Sequence, residues 1–168
     1  IGKKVGSIFQ DPKSQFFSSE LAGETAFACE NYGFSAEEIR DRTDDAIVSF
    51  DLNGFRSRNL DVLSSGEKQR VAIASVYALR PDIYVCDEPT SNLDKTGSEQ
   101  LATVFKQLKA EGHTIIIAEH RLSWLHGIAD RFIYVRDGRV LWERNTAEME
   151  QLSPEESERY GLREITEK

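Results

Sequence analysis

Two apolar runs separated by an amphipathic helix constrain this chain more than any other feature. Asp82-Ile83-Tyr84-Val85-Cys86 and Thr114-Ile115-Ile116-Ile117-Ala118 each read as strands buried on both faces. Between them Leu101, Val104, Phe105 and Leu108 recur at helical spacing over residues 99–109, and Gly112 follows where helices commonly end. Strand, helix, strand, with both strands apolar throughout, predicts a parallel α/β sheet. Lys4-Val5-Gly6-Ser7-Ile8-Phe9 predicts a further short strand. It stops at Gln10-Asp11-Pro12, because proline removes a ladder donor and restricts the residue before it.

The rest of the chain hangs on that frame. Residues 18–59 carry a helical pattern. Within it Ser35-Ala36-Glu37-Glu38 is a capping box, followed by Ile39, Thr43, Ala46, Ile47 and Phe50 at helical spacing. A second helix follows Leu63-Ser64-Ser65-Gly66-Glu67, with Val71, Ala74, Ala78 and Leu79 along it and Arg80-Pro81 ending it. Asp137-Gly138, between two β-rich runs, is a strong hairpin signal. From Thr146 onward the chain is charged and reads as helical, with Ser153-Pro154-Glu155-Glu156 supplying an N-cap, Pro at the first helical position and an acidic third.

Composition narrows the function classes. The 168 residues are 39% hydrophobic and 30% charged, enough for one ordinary core, and the mean hydropathy is negative. No stretch approaches the roughly 20 apolar residues of a membrane span. A net charge of −8 argues against a sequence-independent grip on nucleic acid. It leaves room for a phosphate ligand, which backbone N–H groups at a helix start can bind. Cys29 and Cys86 form no C-x-x-C and gather no histidines, which excludes a disulfide scaffold or zinc module and suits a reducing compartment.

Three constellations carry chemistry. Asp87 and Glu88 are adjacent carboxylates at the carboxyl end of an apolar strand, where open α/β sheets bind ligands. The functional reading has Asp87 holding Mg²⁺ and Glu88 acting on an attacking water; the plainer one is a helix cap. His120 repeats that layout at the end of the next strand, beside the metal carboxylate at the same sheet edge, whereas His113 and His126 gain no role. Ser64-Ser65-Gly66 at the mouth of a helix offers small residues, hydroxyls and N–H donors to an anion. A plain Ser-Gly N-cap is the competing reading.

These segments, in this order and spacing, resemble motifs of the ATP-binding-cassette (ABC) ATPases. Leu63-Ser64-Ser65-Gly66-Glu67-Lys68-Gln69-Arg70 is similar to the signature motif. Residues 83–94 resemble Walker B with the D-loop, residues 114–120 the H-loop, and Phe9-Gln10-Asp11-Pro12 the Q-loop. The resemblance covers residues 5–140 and implies an α/β fold, a partial P-loop-NTPase (RecA-like) core of parallel strands plus the helical subdomain of the family. It divides the chain into a Q-loop strand and turn (4–12), the helical subdomain (13–80), the Walker B to H-loop core with a hairpin (81–143) and an acidic helical tail (144–168). It implies ATP and Mg²⁺ as ligands of the parent protein. Gln10 would contact Mg²⁺ and sense the γ-phosphate, Asp87 would be the metal-side carboxylate, Glu88 the general base and His120 the γ-phosphate contact. Ser64, Ser65, Gly66 and Glu67 belong to the signature, whose Ser64 and Gly66 would cap a nucleotide held by the opposite subunit, and Asp94 would line the dimer seam. Ser65 replaces the family's usual second glycine, Glu67 a common glutamine and Asn92 a frequent alanine, so tuned function is expected.

Asp11-Pro12-Lys13-Ser14-Gln15-Phe16-Phe17 is similar to the energy-coupling-factor importers, in which a short helix after the Q-loop meets the membrane scaffold. The partners so implied are a second ATPase subunit or tandem half and a transmembrane scaffold subunit, with the ATPase peripheral on the cytoplasmic face of the cell membrane. A DNA-maintenance ATPase is an alternative. Against it, only about fifty residues separate Gln10 from Ser64, too few for a long coiled coil. A non-catalytic interaction half is the other, opposed by intact Glu88 and His120.

One motif is missing. G-x-x-x-x-G-K-[ST], whose Lys and backbone amides cradle phosphates, does not occur. Gly2-Lys3-Lys4 lacks the Ser or Thr, and Gln10 follows too soon for a helix and strand of on the order of 25 residues. The chain begins at Ile1 and its single methionine is Met149, so it reads as a piece of a longer protein, with proteolytic maturation as the alternative. These 168 residues alone are expected neither to bind ATP tightly nor to hydrolyse it. The role of the tail is left open by the sequence; if it pairs with a partner's tail, deleting Ser153–Lys168 should weaken dimerisation.

Overall fold

The computed structural model describes residues 2–162. They form two compact units, one ending at Ala118 and the other starting at Glu119.

In the first unit β1 (Val5–Ile8), β2 (Ile83–Asp87) and β3 (Thr114–Ala118) form a parallel sheet in that spatial order. Ile8 pairs with Cys86, and Asp87 with Ala118. The registers place Gly6, Ile8, Tyr84, Cys86, Ile115 and Ile117 on one face. Ile8, Tyr84 and Cys86 are buried there.

Four α-helices and three 3-10 turns lie between the described strands of this sheet. A 3-10 turn (Pro12–Gln15) leads to α1 (Leu21–Asn31) and α2 (Ala36–Ser49), then α3 (Ser65–Tyr77); α4 (Lys95–Ala110) joins β2 to β3. α1, α2 and α3 pack on one another, α3 also on β1 and α4, and α4 on β3. Gly6 permits the approach of α3: a Cβ there would collide with Val76 and lie 3.1 Å from Pro81 Cγ.

Within these 168 residues the two apolar strands are covered by helices on one face. Val85 is 36% exposed and Ile116 54%. The placement of the helices is topological. Strands laid down sequentially in one direction with right-handed crossovers put every connection on the same side of the sheet, so α3 and α4 cover one face.

The helical stretch over 18–59 is likewise interrupted. Gly33 turns the chain at φ 70° between α1 and α2, and Asp51 at φ 51° leads into 3-10 turns at Asn53–Phe55 and Leu60–Val62. Short polar side chains and glycine compete with the helix there. The Ser35–Glu38 capping box forms as read. α4 starts at Lys95, earlier than its apolar spacing indicates, because the Asp94 side chain accepts from Gly97 N–H at 2.7 Å.

The second unit holds an antiparallel hairpin, β4 (Arg131–Arg136) and β5 (Arg139–Asn145). Asp137 at φ 50° and Gly138 at φ 71° form its turn, and two positive φ values are what a two-residue hairpin loop of matching twist needs. The charged tail is helical over α5 (Thr146–Glu150) and α6 (Pro154–Tyr160), and a Ser153–Glu156 capping box starts α6. Tyr160 packs on Tyr134 and Trp142, with ring centroids 5.2 and 5.4 Å away. The tail's end, 163–168, lies outside the described residues. No helix among the described residues is long and apolar enough to cross a membrane.

Candidate functional site

The carboxyl ends of β1 and β2 build the site. Ile8 is paired with Cys86, so continuing both strands by two residues sets Gln10 opposite Glu88. The side chains meet there: Gln10 Nε2 donates to Glu88 Oε2 at 3.0 Å. Glu88 occupies the left-handed region at φ 41°, a conformation that costs a bulky residue about 1–3 kcal/mol and collects at functional sites. Its own N–H donates to Ala118 O at 2.9 Å, and its C=O accepts from Ser91 N–H at 3.1 Å. These bonds fix the backbone on which the carboxylate stands.

The loop carrying Gln10 is held by side chains rather than by burial. Asp11 accepts from Lys13 N–H at 3.1 Å and Pro12 starts the 3-10 turn. Asn92 Nδ2 approaches Gln10 O at 3.5 Å. Just beyond, the buried Glu24 accepts from Phe17 N–H at 2.8 Å and Ser18 N–H at 2.9 Å. Phe17, 72% exposed, stacks on Phe27 with centroids 4.3 Å apart, so it is a surface residue and not core.

The signature segment forms the mouth of α3. Ser64 is its N-cap, with Oγ accepting from Glu67 N–H at 3.3 Å, while Glu67 Oε2 accepts from Ser64 N–H at 2.7 Å. That bond holds the Glu67 carboxyl below the usual carboxylate range. Ser65 and Gly66 form the first turn of the helix. A Cβ on Gly66 would meet the Gly97 Cα at 3.8 Å, so the starts of α3 and α4 are neighbours.

The structure therefore joins Gln10 to Glu88, and Ser64 to Glu67. Asp87 ends β2 on the sheet's exposed face, and Asp94 caps α4. His120 stands two residues past β3, in the second unit. Its N–H donates to Glu119 Oε2 at 2.9 Å, and Glu119 Oε1 accepts from Trp124 Nε1 at 3.2 Å.

Sequence reading assigned no part to Glu24, Gln15 or Glu119. Glu119 could have been noticed as an acid next to the histidine. Glu24 gives no local sign, because its task is to satisfy backbone donors in a loop that precedes it.

Among the described residues no three His, Cys, Asp or Glu side chains gather as a metal-binding group. Mg²⁺ asks for less, one or two carboxylates, with phosphate oxygens and water completing the octahedron. Asp87, exposed at the strand end, fits such a partial ligand.

Comparison with known proteins agrees with this geometry. A family model described as ABC transporter matches residues 1–91. The energy-coupling factor transporter ATP-binding protein EcfA of Carboxydothermus hydrogenoformans is 40% identical over 85% of this chain and 53% of its own length. The structure of cbiO1 from Clostridium perfringens, described as part of the ABC transporter complex cbiONQ, superposes with a TM-score of 0.82 at 32% identity, covering 94% of this chain and 62% of that one. The chain spans between 26% and 62% of the length of the curated relatives it matches. The chain belongs to the ABC transporter family and is related to the ATP-binding subunits of energy-coupling-factor importers.

Proposed function

We propose that this chain is the Walker B and signature portion of an ATP-hydrolysing subunit that powers an importer of the energy-coupling-factor kind. The observation that carries the reading is the 3.0 Å bond from Gln10 Nε2 to Glu88 Oε2 at adjoining strand ends. It places a carboxylate and a neutral amide side by side at the sheet edge where a phosphoryl group and its attacking water would lie.

In this reading Glu88 accepts the proton of the attacking water, and Gln10 holds that carboxylate in place from the neighbouring strand. Asp87 would hold Mg²⁺, which when bound neutralises charge developing on the phosphate oxygens. The start of α3, with Ser64, Ser65 and Gly66, would receive the γ-phosphate of a nucleotide held by a second ATPase subunit. Glu67 shapes that cap, Asp94 sets the start of α4 at the dimer seam, and His120 would contact the γ-phosphate.

The partners are accordingly a second ATPase subunit and a transmembrane scaffold, and the location is the cytoplasmic face of the membrane. The exposed Phe17 after the 3-10 turn supports a scaffold contact. ATP binding is a property of the intact gene product. The 168 residues alone, without a phosphate-cradling G-x-x-x-x-G-K-[ST] loop, bind it weakly.

The test is ATP turnover by the intact gene product with its partners. Glu88→Gln should lower kcat by roughly 10²–10⁴, the usual worth of a general base, while nucleotide binding survives. Turnover insensitive to that change, or micromolar ATP affinity of the 168-residue chain by calorimetry, contradicts the reading.

A further inference from the structure

We propose that Gln15 is a positioning residue for the reaction, its carboxamide acting as a surrogate strand that fixes the loop carrying Gln10. β1 is the edge of the three-stranded sheet among the described residues. Ile83 N–H donates to Lys4 O at 3.0 Å. Strand alternation then turns the peptide groups of residues 4, 6 and 8 toward β2 and those of 5, 7 and 9 away from it.

Ser7 C=O and Phe9 N–H thus face outward, the acceptor and donor that a further strand would engage. Gln15 Nε2 donates to Ser7 O at 3.0 Å, and Phe9 N–H donates to Gln15 Oε1 at 3.2 Å. A primary carboxamide presents a donor and an acceptor side by side, as a strand's peptide groups do. Alanine offers neither, and glutamate offers the acceptor alone.

The consequence reaches the site through Gln10. Between Phe9 and Ser14 only Pro12 is buried, and Phe9 itself is 53% exposed. Little apolar contact therefore fixes this loop. Asp11 sets its tight turn through Lys13 N–H and Ser14, whose N–H and Oγ both donate to Asp11 O, at 3.2 and 2.7 Å. That turn brings residue 15 back alongside β1. The clasp then closes the loop with Gln10 inside it, one residue past the anchored Phe9 N–H. Without the clasp, Gln10 would sample positions off Glu88, and the carboxylate would lose its neighbour for part of the time.

The catalytic half of this inference rests on the ATPase reading above, and the experiment separates the two. Hydrogen exchange is measured on the chain as Gln15→Ala and Gln15→Glu, alongside kcat and KM for ATP in the intact gene product with its partners. The expected result is exchange at the Phe9 amide roughly tenfold faster in Gln15→Ala, the order of one to two net hydrogen bonds. The increase should be smaller in Gln15→Glu and confined to the loop. With it, kcat falls by a similar factor while KM holds. If Gln15→Ala fails to fold, Gln15→Glu, nearly isosteric, carries the same readouts.

Unchanged Phe9 exchange in both variants overturns the proposal. So does an increase spread evenly over the first unit, which marks a merely structural residue, or faster loop exchange with kcat untouched. If the wild-type protein shows no turnover sensitive to Glu88→Gln, the ATPase reading fails by itself, and the clasp is judged on Phe9 exchange alone.

Discussion

Gln10 and Glu88, 78 positions apart in the chain, meet through one hydrogen bond of 3.0 Å. Neither residue belongs to a helix or strand. Their encounter is produced by the β1–β2 register, by the left-handed backbone of Glu88 and by the closed loop around Gln10. The neighbour of this carboxylate is a neutral amide. It donates to the anion without adding a charge of its own, and it does not titrate.

That choice can be tested without nucleotide. Gln10→Glu puts a second carboxylate beside Glu88, and like charges in contact repel. At pH 7 the variant should melt about one or two degrees below Gln10→Ala, a small effect because the pair is partly solvated. Raising the salt concentration screens the repulsion and should narrow the gap. Identical melting of the two variants at pH 7 would show that the side chains do not meet.

The frame of the molecule was legible in the sequence because it rests on local signals. Apolar runs gave β2 and β3, Asp137-Gly138 gave the hairpin, and the Ser-x-x-Glu boxes at Ser35 and Ser153 gave helix starts. Glu88 and Ser64 stood out at a strand end and a helix mouth, and Gln10 was named through the resemblance to a Q-loop. What escaped was set by tertiary structure. That α3 and α4 share one face of the sheet follows from crossover handedness rather than from any residue. Gln15 and Glu24 escaped for another reason: their backbone partners lie six to eight residues away, outside the three-residue spacing of a capping box.

At Gly6 the helix α3 approaches β1 closely. A methyl group there would overlap Val76 and crowd Pro81, and overpacking of this kind costs roughly 1–3 kcal/mol. Gly6→Ala should therefore lower Tm by several degrees, about 2–4 °C for each kcal/mol in a chain of this size. Adding Val76→Ala vacates the space and should return part of the loss. A double variant less stable than the sum of its parts would contradict the contact.

Both thiols should be silent in the native protein. Cys29 and Cys86 are 0% and 1% exposed. Burial raises the Cys29 thiol and pushes that of Cys86 up to about 12, and the thiolate is the reactive form. At pH 8 a disulfide reagent should label neither in buffer and both in denaturant. Stoichiometric native labelling would show that one of these sites opens.

The Glu67–Ser64 cap gives α3 an acid-sensitive start. Ser64 N–H bonds to the carboxylate at 2.7 Å and holds the Glu67 carboxyl below its ordinary value. A group whose folded pKa is depressed contributes stability that is present above its unfolded pKa and lost as pH falls through the folded one. The wild-type chain should thus lose stability from this cap on acidification below about pH 4.5, with caps of this type worth about 1 kcal/mol. Glu67→Gln keeps an acceptor for Ser64 N–H, since glutamine also closes a capping box, but it cannot titrate. Its melting temperature should fall less between pH 5 and pH 3 than that of the wild type, while the two differ little at pH 7. Glu67→Ala should be the less stable at pH 7 and equally flat in acid. Parallel acid limbs for wild type and Glu67→Gln would remove Glu67 from the titration and leave the acid sensitivity to Glu38 and Glu156, whose carboxyls are also held low, each chiefly by a capping-box backbone N–H.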